Sequence, residues 1–164
     1  PWRELLWYVD AARERRLLRP VLVRTALGIA LLAIFVALLF PQDWLSFPRQ
    51  RPWLWIAVML LYPLFSVFTQ ELLYRGFFFR RYRALFPQPH ALQLMSALSF
   101  AWMHVVFGNI VAPLLTLVGG ALFAWTFQRS GSLRLVCLEH MLYGQAVFTL
   151  GLGTYFYDPR FLAV

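Results

Sequence analysis

The chain has 164 residues, of which 61% are hydrophobic and only 13% charged, about half the charged fraction of an ordinary soluble domain. A single aqueous core of this size cannot hide so much apolar surface, which excludes a water-soluble globular fold. The net charge of +8 rests on arginine alone, with no lysine in the chain; because the arginines flank apolar runs and do not form one stripe, they point to membrane lipid and exclude nucleic acid as the partner.

In chain order, residues 1–20 come first as an N-terminal cytoplasmic or interfacial segment. Trp2, Leu5, Leu6, Trp7 and Val9 lie there among charges. That mixture fits a helix lying in the membrane surface, and it fits a disordered arm equally. The chain opens on Pro1 with no Met, so a fragment or trimmed chain is expected. A signal peptide is not, because the following apolar run is too long and Phe40, Pro41 and Gln42 offer no small-residue cleavage site.

A bilayer core needs about 20 apolar helical residues per crossing. The segments that qualify are 21–40, 53–79, 91–107, 110–127 and 133–150. Residues 21–164 therefore read as an all-α, polytopic transmembrane helix bundle of about five spans. Arg24, near the start of the first span, is expected to snorkel to the interface. Gly108 and Asn109 make a tight turn between the third and fourth spans. Gly119, Gly120, Ala121 and Ala124 predict close helix packing on the fourth. Cys137 is single and lies in an apolar run, so no internal disulfide forms. Arg13, Arg15, Arg16, Arg19, Arg80, Arg81 and Arg83 outweigh Arg49 and Arg51 on alternate loops. That asymmetry predicts a cytoplasmic N-terminus in the inner or plasma membrane of a prokaryote.

Ionisable groups within spans are costly, so each is a candidate for function. Arg24 apart, they are Glu71, Arg75, His104, Glu139 and His140. Glu71 and Arg75 share a helix face at i,i+4 and could form a purely structural ion pair. Gln70 stands about 100° away and could border the same cavity. A lone membrane histidine is usually a packing group, and Glu139 could either orient His140 or face a cavity. Taken together, one carboxylate and two imidazoles on three helices fit a polarised water. Zinc held by Glu71, His104 and His140 would leave an open position for that water. Without metal, Glu71 would be the general base, with His104 and His140 holding water or an oxyanion. Gln145, close to His140, could donate to the site or bond a neighbouring helix.

These residues resemble a known family. Gln70-Glu71-Leu72-Leu73-Tyr74-Arg75-Gly76 looks like the first motif of the CAAX-protease and bacteriocin-processing (CPBP, or Abi) family, Glu-Glu-x-x-x-Arg. Phe100 to His104 matches its second motif, Phe-x-x-x-His, and His140 to Gly144 resembles its third, His-x-x-x-Asn. The resemblance implies an all-helical intramembrane endopeptidase, described in the family both as zinc-dependent and as glutamate-dependent. Its substrate would be a membrane-bound or lipid-modified, CAAX-type polypeptide. The family's first Glu and second-motif His activate water, and its third-motif His and Asn hold the oxyanion. Carried over, Glu71, His104 and His140 are the catalytic candidates, and Gln70, Arg75, Glu139 and Gly144 are supporting. Two departures stand out. Gln70 replaces the first Glu and cannot act as a base, and Gly144 replaces the Asn. Either Glu71 or Glu139 takes the missing role, or the chain is a catalytically impaired scaffold or immunity protein. A proton or ion carrier is a third reading, and no inverted repeat supports it.

Overall fold

The structure is a computed structural model, and it describes residues 10–156. Among them there is no strand; the chain is a helical bundle. Helix α1 (Ala11–Leu39) starts ten residues before the span expected at 21–40. Asp10 caps it, accepting from the backbone N–H of Ala12 at 3.0 Å and of Arg13 at 3.1 Å, which satisfies two orphan donors of the first turn. The helix runs through Pro20 without ending. Of the segment 1–20, expected as a surface helix or an arm, residues 11–20 belong to α1 and residues 1–9 lie outside the described residues.

A one-turn helix α2 (Ser46–Gln50) leads into α3 (Pro52–Tyr82), which is not uniform. It widens into π-helical turns at Pro63–Val67 and Leu72–Phe77. Pro63 explains the first. It has no N–H for the carbonyl of Met59 four residues back. Gln145 fills that gap from another helix, donating to the Met59 oxygen at 2.9 Å. Gln145 is thus a packing residue, the plainer of its two expected roles. The second wide turn contains Arg75 and lies next to Glu71, consistent with the tendency of π-turns to occur where side chains are re-aimed for use.

Helix α4 (Pro89–Met103) tightens to a 3-10 turn at His104–Phe107, reverses at Gly108 (φ 68°), and is followed by α5 (Val111–Ser130). Asn109 organises that reversal. Its side chain accepts from the N–H of Ala112 and donates to the carbonyls of Phe107 and Tyr155. Helices α4 and α5 form the most extensive pair in the bundle, and Gly120 makes the close approach possible. A Cβ there would sit 3.2 Å from the Ala97 Cα and 3.1 Å from the Phe100 ring.

Helix α6 (Leu133–Leu150) is capped by Ser132, whose hydroxyl accepts from the N–H of Leu135. It ends at Gly151, whose φ of 109° and close approach to the Asp43 carbonyl both require glycine.

Four helices are long and apolar enough to cross a membrane: Ala11–Leu39, Pro52–Tyr82, Pro89–Phe107 and Val111–Ser130. The fifth expected span, α6, is present as a helix of 18 residues but is not among these four. It carries Arg134, Glu139, His140 and Gln145. The reason is its position: from Leu135 to Leu150 no residue is exposed, so α6 is the enclosed helix of the bundle and does not need an apolar circumference. The outer helices show the opposite pattern. Leu27, Leu31, Ile34 and Leu38 form one exposed stripe of α1, and Phe65, Trp102, Val106 and Val118 are exposed on α3, α4 and α5. In water such a surface would be untenable; against lipid it is ordinary.

Candidate active site

Five ionisable groups were expected to converge; Glu71, Arg75 and His140 do, Glu139 pairs elsewhere from a different face of α6, and His104 joins neither set by a hydrogen bond. The first cluster is Glu71, Arg75 and His140. Glu71 and Arg75 are fully buried. Arg75 Nη1 donates to Glu71 Oε1 at 3.2 Å, and its Nε lies 3.1 Å from Oε2 without hydrogen-bond alignment. Arg75 Nη2 donates to the carbonyl of Gly120 at 3.0 Å. The guanidinium sits over the Phe100 ring at 4.7 Å and the Phe123 ring at 5.4 Å. Charge, hydrogen bonds and ring faces together replace the water that this cation lacks.

His140 completes the chain. Its Nδ1 donates to Glu71 Oε1 at 2.7 Å, and its Nε2 bonds the Tyr62 hydroxyl at 3.0 Å. Phe123 stacks on its face at 4.6 Å, and Phe100 meets it edge-on at 5.6 Å. The imidazole is therefore fixed in position and orientation. The resulting line runs from Arg75 through Glu71 and His140 to Tyr62.

His104 is the third expected member, and the tightening of α4 explains its state. Its own N–H turns to Ala101, three residues back. That frees the Phe100 carbonyl, which the ring Nδ1 takes at 2.7 Å. A carbonyl only accepts, so Nδ1 carries the proton and the neutral ring keeps its lone pair on Nε2. Nε2 has no hydrogen-bond partner among the described residues.

Both histidines line a cavity of about 440 Å³ enclosed by α1, α3, α4, α5 and α6. Its wall is mostly apolar, with Tyr62, Ser66, Gln70 and Thr116 among the polar exceptions. Leu31 of α1 and Val118 of α5 line it and are also 68% and 63% exposed, so it opens sideways between those helices. Gln70 and Gly144 lie on its wall; Glu71, Arg75 and Glu139 do not. The amide of Gln70 donates to the Ser66 hydroxyl at 3.0 Å.

The second cluster corrects two expectations. Arg24 does not snorkel outward. It turns into the bundle, pairs with Glu139, donates to the Thr126 hydroxyl at 2.5 Å, and lies 4.4 Å from the Trp125 ring. Glu139 is fully buried; besides Arg24 it accepts from Thr126 at 2.6 Å. It neither orients His140 nor faces the cavity, because adjacent helical residues point about 100° apart. This cluster fastens α1 to α5 and α6. Glu14 adds to the fastening, accepting from Ser132 and pairing with Arg134 at 3.1 Å.

The expected zinc set does not fit this arrangement. Among the described residues no three His, Cys, Asp or Glu side chains converge as a metal centre. Both nitrogens of His140 are hydrogen-bonded, and the Glu71 carboxylate is held by Arg75 and His140. Only His104 Nε2 is a free donor, and a catalytic zinc takes three protein ligands.

Tyr62 and Thr126 escaped sequence reasoning. An aromatic residue before a proline resembles any interfacial tyrosine, and Thr126 is one hydroxyl in an apolar run. The one signal pointing to Tyr62 is Gly144, where a Cβ would collide with the Tyr62 ring and hydroxyl.

A polytopic helical membrane protein with a buried Arg–Glu–His line ending at an apolar cavity is the class that fold and site define. The chain belongs to the type II CAAX prenyl endopeptidase Rce1-like family, whose model matches residues 52–145. That match spans α3 to most of α6 and takes in Tyr62, all three motifs, His104 and His140. It leaves out α1, which supplies Arg24, Gly28, Leu31 and Leu32. No curated protein and no solved structure matches the chain.

Proposed function

We propose that the chain is an intramembrane endopeptidase acting on a lipidated, CAAX-type polypeptide, with water activated by His104 in place of a carboxylate. The observation that carries this reading is the pairing of two differently prepared imidazoles on one cavity wall. His104 offers an unbonded Nε2; His140 is clamped between Glu71 and Tyr62. In this scheme a water oxygen attacks the scissile carbonyl carbon and its proton passes to His104 Nε2. The carbonyl π electrons move to oxygen. When the carbon–nitrogen bond breaks, His104 returns that proton to the leaving amine. Glu71 acts through His140, holding its ring orientation, while Arg75 holds Glu71 in place. The sideways opening and apolar wall suit a lipid chain entering from the bilayer. Arginines at the α1 start, at the α3–α4 loop and at the α5–α6 loop support a cytoplasmic location for that end of the bundle, in the inner membrane of a prokaryote.

The test is cleavage of a farnesylated peptide ending in a CAAX sequence by the protein in liposomes. His104→Gln should lower kcat by about 10²- to 10⁴-fold, the usual contribution of a general base. Dialysis against a chelator should leave the native rate unchanged. A second reading has its own support: no carboxylate reaches the cavity wall, as expected of an impaired scaffold or immunity protein. Gln70→Glu separates the two. Cleavage by that variant alone would establish the scaffold reading and end the enzyme one.

A further inference from the structure

We infer that the Tyr62 hydroxyl is a catalytic hydrogen-bond donor to the substrate carbonyl oxygen, occupying space that Gly144 leaves open. The inference rests on the protease reading and adds a residue to it.

Peptide hydrolysis builds negative charge on the carbonyl oxygen, and a site that stabilises it needs donors aimed at that position. The polar side chains on the cavity wall are the candidate donors. Several polar groups there are committed elsewhere. The Thr116 hydroxyl donates to the Ala112 carbonyl at 2.7 Å, and the Gln70 amide to Ser66. Tyr62 differs in lying on the wall while bonded to His140 Nε2 at 3.0 Å. With His140 Nδ1–H given to the Glu71 carboxylate, Nε2 accepts from the Tyr62 hydroxyl and holds the phenol at the cavity wall. A developing oxyanion is a stronger acceptor than a neutral imidazole and draws that phenolic hydrogen into the cavity.

Gly144 makes this placement possible. A Cβ there would overlap the Tyr62 hydroxyl, Cε1 and Cζ, so any larger residue displaces the ring. Tyr62 is further held edge-on to Phe148 at 5.4 Å and to His140 at 6.0 Å. A rigid phenol fixed at three points is preorganised in the way an oxyanion donor must be. The residues at 62 and 144 thus share one volume, and in this chain the donor comes from α3.

The experiment uses the liposome-reconstituted protein and the farnesylated CAAX peptide. Tyr62→Phe keeps the ring and its packing and removes only the hydroxyl. It should lower kcat about 10²- to 10³-fold, as loss of one oxyanion donor does. KM should change less than about threefold, since the interaction strengthens only in the transition state. Gly144→Asn alone should be as damaging, because its side chain overlaps the ring. Combining Tyr62→Ala with Gly144→Asn clears the volume and supplies an amide donor from α6; it should recover at least about tenfold over Tyr62→Ala. Detergent melting of each variant tests folding. A Tyr62→Phe variant with native kcat overturns this inference and leaves the protease reading standing. A loss that the double variant fails to recover also overturns it, by assigning Tyr62 to packing. A native protein that cleaves nothing removes both.

Discussion

Replacing Glu71 with leucine should destabilise the bundle by about 3–5 kcal/mol, the cost of breaking a buried ion pair from one side. The structure explains the size of the effect. Arg75 is fully buried, and Glu71 is its partner at 3.2 and 3.1 Å. Removing the carboxylate leaves a guanidinium with one carbonyl acceptor, Gly120, and two ring faces. It also leaves His140 Nδ1 without its acceptor, which adds about 1–3 kcal/mol for an unsatisfied buried donor. The two terms share one carboxylate and are not additive. Changing Arg75 to methionine in the same protein removes the orphaned cation. The double variant Glu71→Leu/Arg75→Met should then regain at least half the loss, because apolar replacements of a buried pair are commonly neutral. Activity should not return, because His140 stays unheld. Equilibrium unfolding in mixed detergent micelles measures the first effect and liposome cleavage the second. A single-variant loss below about 1 kcal/mol would refute the reasoning, since it would mean that Arg75 finds water or lipid headgroups on its own. So would a double variant no more stable than the single.

Arg24→Leu should loosen α1 by leaving Glu139 enclosed without its partner, at a cost of about 2–5 kcal/mol, and Arg24→Leu with Glu139→Leu should recover most of it. Protease accessibility of the α1 end, read beside unfolding, checks this; equal stability of single and double variants would show that the pair contributes little. Gly120→Leu should cost about 1–3 kcal/mol through overpacking at the α4–α5 crossing. It should also lower cleavage, because the carbonyl that receives Arg75 Nη2 must move; a fully active, fully stable variant would contradict the close approach to Ala97.

Residue spacing made the helical membrane bundle legible, because the cost of backbone polar groups in hydrocarbon leaves few other solutions for runs this apolar. The same energetic rule marked Glu71, Arg75, His104, Glu139 and His140, since a charge or imidazole in such a run needs a partner. Choosing the partners was beyond it. Glu71 finds His140 from 69 residues away, and Glu139 finds Arg24 from 115. Neighbours in sequence, Glu139 and His140, go to different faces of α6, and a residue expected at the membrane surface, Arg24, pairs with Glu139. Gln70, and not Glu71, meets the cavity. Tyr62 entered only because Gly144 is bare. Sequence alone thus determined that polar groups had to be neutralised inside the bundle. The tertiary structure decided which ones meet, because pairing depends on helix rotation and approach, and those are set by packing between segments distant in the chain.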